Sequence, residues 1–263
     1  MSSVHPRVKI YTRSMNPTLY ARAMAFIDLP YPKVRLTDTT ADGYLYLVIA
    51  DTEADYVINI DEDAFVTDSA RLQALLEHVI ENGYGNAGMP DGGVISHRSW
   101  NPLVTNPCFT IMNTKLLRDV MDPDAIAAMD IDDPALEASV PRALMRLPWE
   151  LHAGYEPFYR LYIWMSQAVK TLYLDAREHS DGISTEIVDH LGRPVVLHTW
   201  YSREYGRDFE HTDRINAIAD EAHALSGAGR ATTRLEWARL RASATEYKLA
   251  RRMHIWLKRR YGL

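Results

Sequence analysis

The chain predicts an α/β protein: a mixed sheet flanked by helices, with a helical extension at the C-terminal end. Three observations predict it. Short β-branched runs alternate with amphipathic stretches over residues 8–81, the pattern of a parallel, doubly wound sheet. Between Gly92 and Asn113 two apolar runs follow one another with no helix between them, so the sheet is mixed. From Phe209 onward the apolar periodicity is helical. With 263 residues, 47% hydrophobic and 24% charged, the chain suits a large catalytic-size domain over 1–205 and a helical extension over 206–263.

The elements follow in order. Val8–Thr12 is the first strand. Asn16-Pro17 starts a helix, with Pro at the first helical position, that runs through Thr18 to Ile27 and is broken by Pro30 and Pro32. Lys33–Leu36 is a second strand, Thr40–Thr52 a second helix, and Tyr56–Ile60 a buried strand. Asp68 caps an amphipathic helix carrying Leu72, Leu75, Leu76, Val79 and Ile80, ended by Gly83 and Gly85. Gly92–His97 and Pro107–Asn113 read as strands. The acidic, proline-broken stretch Asp122–Pro141 reads as loop with short helices. Tyr155–Ala168 reads as an aromatic-rich helix. Thr171–Asp175, Gly182–Val188 and Val195–His198 are strands, and Phe209–Leu225 and Thr232–Lys258 are helices.

The strand Tyr56–Ile60 stops at Asp61-Glu62-Asp63. Carboxylates cannot continue a buried strand unpaired, so the triplet belongs at its C-terminal end, where open α/β sheets bind ligands. Asp61 and Asp63, two residues apart, then point the same way and suit one divalent cation. Capping or a solvated turn is the plainer alternative. Asp122-Pro123-Asp124 and Asp130-Ile131-Asp132 share the spacing but follow no strand, and read as surface loop. Tyr11, Thr12 and Arg13 at the end of the first strand, and Asp38 after the second, lie on the same sheet edge, as candidates for base and ribose or as ordinary loop polarity. His97, Arg98 and Asn106 flank the following loop, and the Arg98 guanidinium suits phosphate.

Other features narrow the class. The lone Cys108 excludes an internal disulfide and a multi-cysteine zinc site. No apolar run approaches the ~20 residues that cross a bilayer, and nothing resembles a signal peptide. The expectation is a cytoplasmic protein. The net charge of −6 is asymmetric: from Gly229 onward ten Lys/Arg face only Glu236 and Glu246, so this stretch carries +8 and the remainder −14. Basic residues interleaved with Trp and Leu suit an anionic neighbour, a membrane surface well ahead of nucleic acid. A helix packed on the acidic body with solvated arginines explains the pattern equally well.

The strand followed by Asp61-Glu62-Asp63, together with the late His198 in Val195-Val196-Leu197-His198, resembles the GT-A class of nucleotide-sugar glycosyltransferases, over about residues 8–205. The resemblance implies a Rossmann-type mixed sheet, a nucleotide-sugar donor with UDP as first guess, and a hydroxyl acceptor that is a glycan, lipid-linked or on a protein. It implies Asp63 and His198 as metal ligands, with Asp61 reaching the metal or the ribose. Two carboxylates with an imidazole suit Mn²⁺, or Mg²⁺. His198 reads otherwise as a hydrogen-bonded strand-end residue. An inverting transfer needs a carboxylate base. Glu156 is the candidate, or a first-turn helix acid, with Glu150 and Asp181 as rivals. A retaining transfer needs none. A haloacid-dehalogenase-type phosphatase, with Asp61 as nucleophile, is the rival enzyme. A nucleotide-sugar-binding protein without catalysis is the other alternative.

Overall fold

Val8–Arg13 (β1), Lys33–Leu36 (β2) and Tyr56–Ile60 (β3) form the parallel start of the sheet, with β1 between the other two. The computed structural model describes residues 6–154 and 156–261, so Tyr155, placed by the sequence at a helix start, lies outside the described residues. The crossovers are α1 (Pro17–Met24) and α2 (Gly43–Ala50). Asn16 caps α1, its Oδ1 accepting from the N–H groups of Thr18 and Leu19 at 3.1 Å. The helix closes before the expected Ile27 because Ala25, Phe26 and Ile27 bond to carbonyls three residues back, the tighter 3₁₀ pattern.

The acidic triplet then turns the chain out of β3 into β4 (Ala64–Val66), which the sequence does not announce. β4 leaves the first sheet and pairs antiparallel with β10 (Pro194–His198) in a second one. α3 (Ser69–Glu81) follows as expected, with Asp68 Oδ1 accepting from the N–H groups of Ala70 and Arg71.

The expected strand Gly92–His97 is instead a loop with a single bridge between Ile95 and Arg98. A Cβ on Gly92 would collide with the backbone of Trp100, so that segment is a close crossing and not a ladder. The strand is Asn86–Pro90 (β5), whose Asn, Gly and Pro content hides it; burial between neighbouring strands overrides the weak propensity. Thr105–Met112 (β6) runs antiparallel to both β3 and β5.

After β6 come α4 (Thr114–Val120, capped by Asn113), which the sequence reading omits, and α5 (Pro123–Ala127) in the proline-broken stretch. α6 spans Tyr159–Ala168. The expected strand Thr171–Asp175 is shorter, Thr171–Tyr173 (β7), parallel to β5, and an unexpected strand, Ala176–Glu178 (β8), enters the second sheet. β9 is shorter than expected, Thr185–Val188, because Asp181 Oδ1 accepts from the N–H groups of Ile183 and Ser184 and holds a turn there. α7 (Phe209–Ser226) and α8 (Arg234–Tyr261) complete the helical C-terminal region.

The result is a six-stranded mixed sheet, β2-β1-β3-β6-β5-β7, and a four-stranded sheet, β4-β10-β9-β8. Alternation along β3 divides the core. Ile58 and Ile60 face Phe65, Leu72, Leu197 and Ile215, while Val57 faces Tyr44, Leu117 and Tyr162 on the α2–α6 side. No described helix is long and apolar enough to cross a membrane.

Candidate functional site

The site forms where the two sheets part. Asp61 ends β3, its N–H bonded to the Cys108 carbonyl of β6 at 2.9 Å. Asp63 precedes β4, and in the β4–β10 ladder Ala64 stands opposite His198. The ladder therefore brings an imidazole from late in the chain to the acidic turn. His198 Nε2 lies 3.3 Å from Asp63 Oδ1 and 4.0 Å from Asp61 Oδ2. One ligand atom from each of the three side chains falls within 4.8 Å of the others, the spacing of a divalent-cation site. Asp63 and His198 are buried, while 37% of the Asp61 side chain remains exposed.

The middle residue of the triplet turns away. Glu62 is buried and accepts from Ser14 Oγ at 2.6 Å and from the Asn16 N–H at 2.8 Å, and Arg35 Nε donates to the same Ser14 hydroxyl. It ties the start of α1 to the acidic turn. Thr199 holds Asp63 from the other side, its N–H and Oγ1 both donating to the Asp63 carbonyl at 3.0 Å.

These placements set the electrostatics. Withdrawal from water, and then the Asp63 charge, push the Asp61 carboxyl up to about 7. Burial pushes the His198 imidazole down, but Cys108 and the adjacent Asp63 carboxylate outweigh it and hold it well above its ordinary value. Burial raises Glu62 as well. Two crowded carboxylates with one imidazole are costly to leave without a cation, and two oxygen donors with one nitrogen fit Mn²⁺ or Mg²⁺.

Asp61 opens into a cavity of about 200 Å³ that also takes Arg13, Arg98, Asn106, Glu156, Trp200 and Arg203. Arg13 is held by the Thr39 carbonyl and lies over the Tyr44 ring. Arg98 forms a two-pronged pair with the buried Asp91, both contacts 2.7 Å, and sits 3.8 Å from Glu156. Asn106 Nδ2 and the Tyr159 hydroxyl donate to the same Asp91 carboxylate. Glu156 precedes α6 instead of opening it; its carbonyl accepts from the Tyr159 N–H.

Of the residues singled out from sequence, Asp61, Arg13, Arg98, Asn106 and Glu156 thus share one cavity, with Asp63 and His198 just behind. The others sit elsewhere. Tyr11 donates its hydroxyl to Asp51 at 2.7 Å, and Thr12 is fully buried beside Met24. Asp38 is exposed with φ 55°, and Glu150 is exposed. Asp181 bonds the Ser184 hydroxyl and pairs with Arg214. A larger cavity, about 790 Å³, lies between α1 and the start of α8. Its carboxylate, Glu236, is taken up by Arg230, so the metal-type chemistry belongs to the smaller one.

Sequence reasoning missed Asp91, Trp200, Arg203 and Arg214. Trp200 and Tyr201 both have left-handed backbones, φ 58° and 60°, directly after Thr199. Two consecutive non-glycine residues there are strained. Arg214 of α7 clamps the turn, donating to the carbonyls of Thr199 and Trp200 and to Ser184 Oγ. The Trp200 indole, anchored on Thr185 Oγ1 at 2.9 Å, packs 4.2 Å from the His198 ring and lies under Arg98. Only the Trp and Tyr following a strand-end His hinted at this in the sequence.

The mixed sheet, the acidic turn at the end of β3 and the imidazole returning from β10 give the α/β architecture that the resemblance to the GT-A class implies. Among solved structures, the chain is similar to the mannosyltransferase PcManGT from Pyrobaculum calidifontis in complex with GDP-Man and Mn²⁺, at 12% identity and TM-score 0.41, covering 92% of this chain and 70% of that one. It is also similar to A197 from STIV (12%, TM-score 0.39, 73% and 93%) and to S. aureus TarS 1–349 (10%, TM-score 0.37, 92% and 70%). No family model matches the chain, and no curated protein matches it.

Proposed function

We propose that this chain is a metal-dependent glycosyltransferase that moves a sugar from a nucleoside-diphosphate sugar to a hydroxyl acceptor. The observation that carries the reading is the cluster of Asp61, Asp63 and His198, of which Asp61 lines a cavity together with three arginines. Asp61, Asp63 and His198 would hold the cation, Mn²⁺ before Mg²⁺. When bound, it neutralises charge on the departing diphosphate.

The chain's own groups do the rest. Arg13 and Arg203 present guanidinium donors to phosphate oxygens. Arg98 is pinned by Asp91, so its position is fixed before any ligand arrives, and its charge is shared. Trp200 offers an aromatic face at the cavity wall. Glu156, with 27% of its side chain exposed, takes the proton from the attacking hydroxyl in an inverting transfer. The proton moves to a Glu156 carboxylate oxygen as the hydroxyl oxygen bonds to the anomeric carbon, whose bond to the diphosphate oxygen breaks, the nucleoside diphosphate leaving with the electron pair. UDP as the nucleotide, and a glycan, lipid-linked or protein acceptor, are carried by the resemblance alone. A phosphatase reading is less well supported: no lysine lines the cavity.

Thermal melting against a panel of nucleotide-sugars, each with and without Mn²⁺, tests the proposal. Stabilisation by one nucleotide class only when Mn²⁺ is present supports it. No shift with any donor, or equal shifts without metal, rejects it.

A further inference from the structure

α8 is divided by its contacts. Its first half packs on α7: Ala244 is fully buried, Arg241 pairs with Asp213 at 2.7 Å, and Lys248 pairs with Asp208 at 3.0 Å. Beyond Lys248 every described side chain is exposed except the half-buried Leu257. At 3.6 residues per turn, Leu249, Met253 and Trp256 fall on one stripe, with Leu257 at its edge. Counted from the buried Ala244 at about 100° per residue, these three lie at about 140°, 180° and 120°, so the stripe is turned from the face that packs on α7. Leu249, Met253 and Trp256 are 59%, 61% and 58% exposed. Lys248, Arg251, Arg252, Lys258, Arg259 and Arg260 fall in the same stretch, and no carboxylate follows Glu246.

We infer that the distal half of α8 docks flat on an anionic lipid surface, with Leu249, Met253 and Trp256 entering the headgroup boundary and the flanking arginines meeting lipid phosphates. Charge complementarity selects an anionic partner. The exposed hydrocarbon stripe selects a bilayer over nucleic acid, since a phosphate backbone offers nothing to Leu249 or Met253. Residues 1–228, net −14, are repelled by the same surface, which favours contact through this helix end. The inference goes beyond the proposed transfer reaction and does not depend on it.

Sedimentation of the full chain with phosphatidylcholine vesicles, with and without phosphatidylglycerol, tests it in the absence of nucleotide and metal. Expected is binding to the anionic vesicles only. The pair Leu249→Ser with Met253→Ser and the pair Arg251→Glu with Arg252→Glu should each reduce partitioning at least tenfold, with melting temperature unchanged. Failure of the full chain to bind anionic vesicles overturns the inference. So does full binding by the Leu249→Ser/Met253→Ser chain, which keeps every charge and would mark a purely electrostatic contact such as nucleic acid provides. A dimer in vesicle-free solution that this same variant dissociates would assign the stripe to a second copy and also overturn it.

Discussion

Asp63 Oδ1 and His198 Nε2 lie 3.3 Å apart across the join between the two sheets, from positions far apart in the chain. The β4–β10 ladder fixes that distance, because Ala64 and His198 are direct partners in it. The geometry of the acidic cluster is therefore a property of backbone pairing, present before any ligand arrives.

Replacing His198 should separate metal affinity from folding. His198→Asn keeps a small polar side chain beside Asp63 and removes the imidazole. Calorimetric titration should show Mn²⁺ affinity reduced about tenfold or more, with a melting temperature within a few degrees of the parent. Unchanged affinity would remove His198 from the ligand set.

Arg214 supports the same site from outside it. Arg214→Ala frees the carbonyls of Thr199 and Trp200 and leaves two left-handed residues without their clamp. Metal affinity should fall by about 10- to 100-fold, the usual cost of losing a residue that orients a ligand, while Arg214→Lys recovers part of it. A variant that melts lower but binds Mn²⁺ normally would show that the clamp serves folding alone.

Asp91 stands behind the cavity wall and fixes Arg98 there. Its buried carboxylate receives Arg98, Asn106 and Tyr159. Asp91→Ala leaves the part-buried Arg98 guanidinium, the Asn106 amide and the Tyr159 hydroxyl without their shared acceptor and should cost about 3 kcal/mol by urea denaturation. Asp91→Asn retains an acceptor and should cost less.

Much of this site was legible in the sequence because its chemistry sits at a strand end. A β-branched run that stops on Asp61-Glu62-Asp63 marks both the strand and the turn, and Asn16-Pro17 and Asp68 mark helix starts by their caps. The second sheet was not legible as such. β4 and β8 are three residues each, too short for alternation to register. β5 was hidden by Asn86, Gly88 and Pro90, and the Gly92–His97 run resembled a strand because apolar Val94 and Ile95 are buried in a loop. Asp91 and Arg214 act through long-range contacts that no local pattern encodes.

A pH dependence of stability follows from Asp51. Burial alone would raise its carboxyl, but Lys9 Nζ and the Tyr11 hydroxyl, each 2.7 Å away, outweigh that and hold it at about 2. A depressed folded-state value means the stabilisation is present above the unfolded value near 4. It is lost as pH falls from there towards 2. Allowing for solvent screening, Asp51→Asn should lower stability by about 1 kcal/mol at neutral pH, and the difference should vanish near pH 2. Denaturation curves across that range check it.

The most direct test measures nucleoside diphosphate released from a nucleotide-sugar by the parent chain and by Asp63→Asn, with and without Mn²⁺. The parent should turn over only with the metal, and Asp63→Asn should fall at least a hundredfold while melting as a folded protein. Turnover that ignores both Mn²⁺ and the substitution would contradict a cation held at the end of β3.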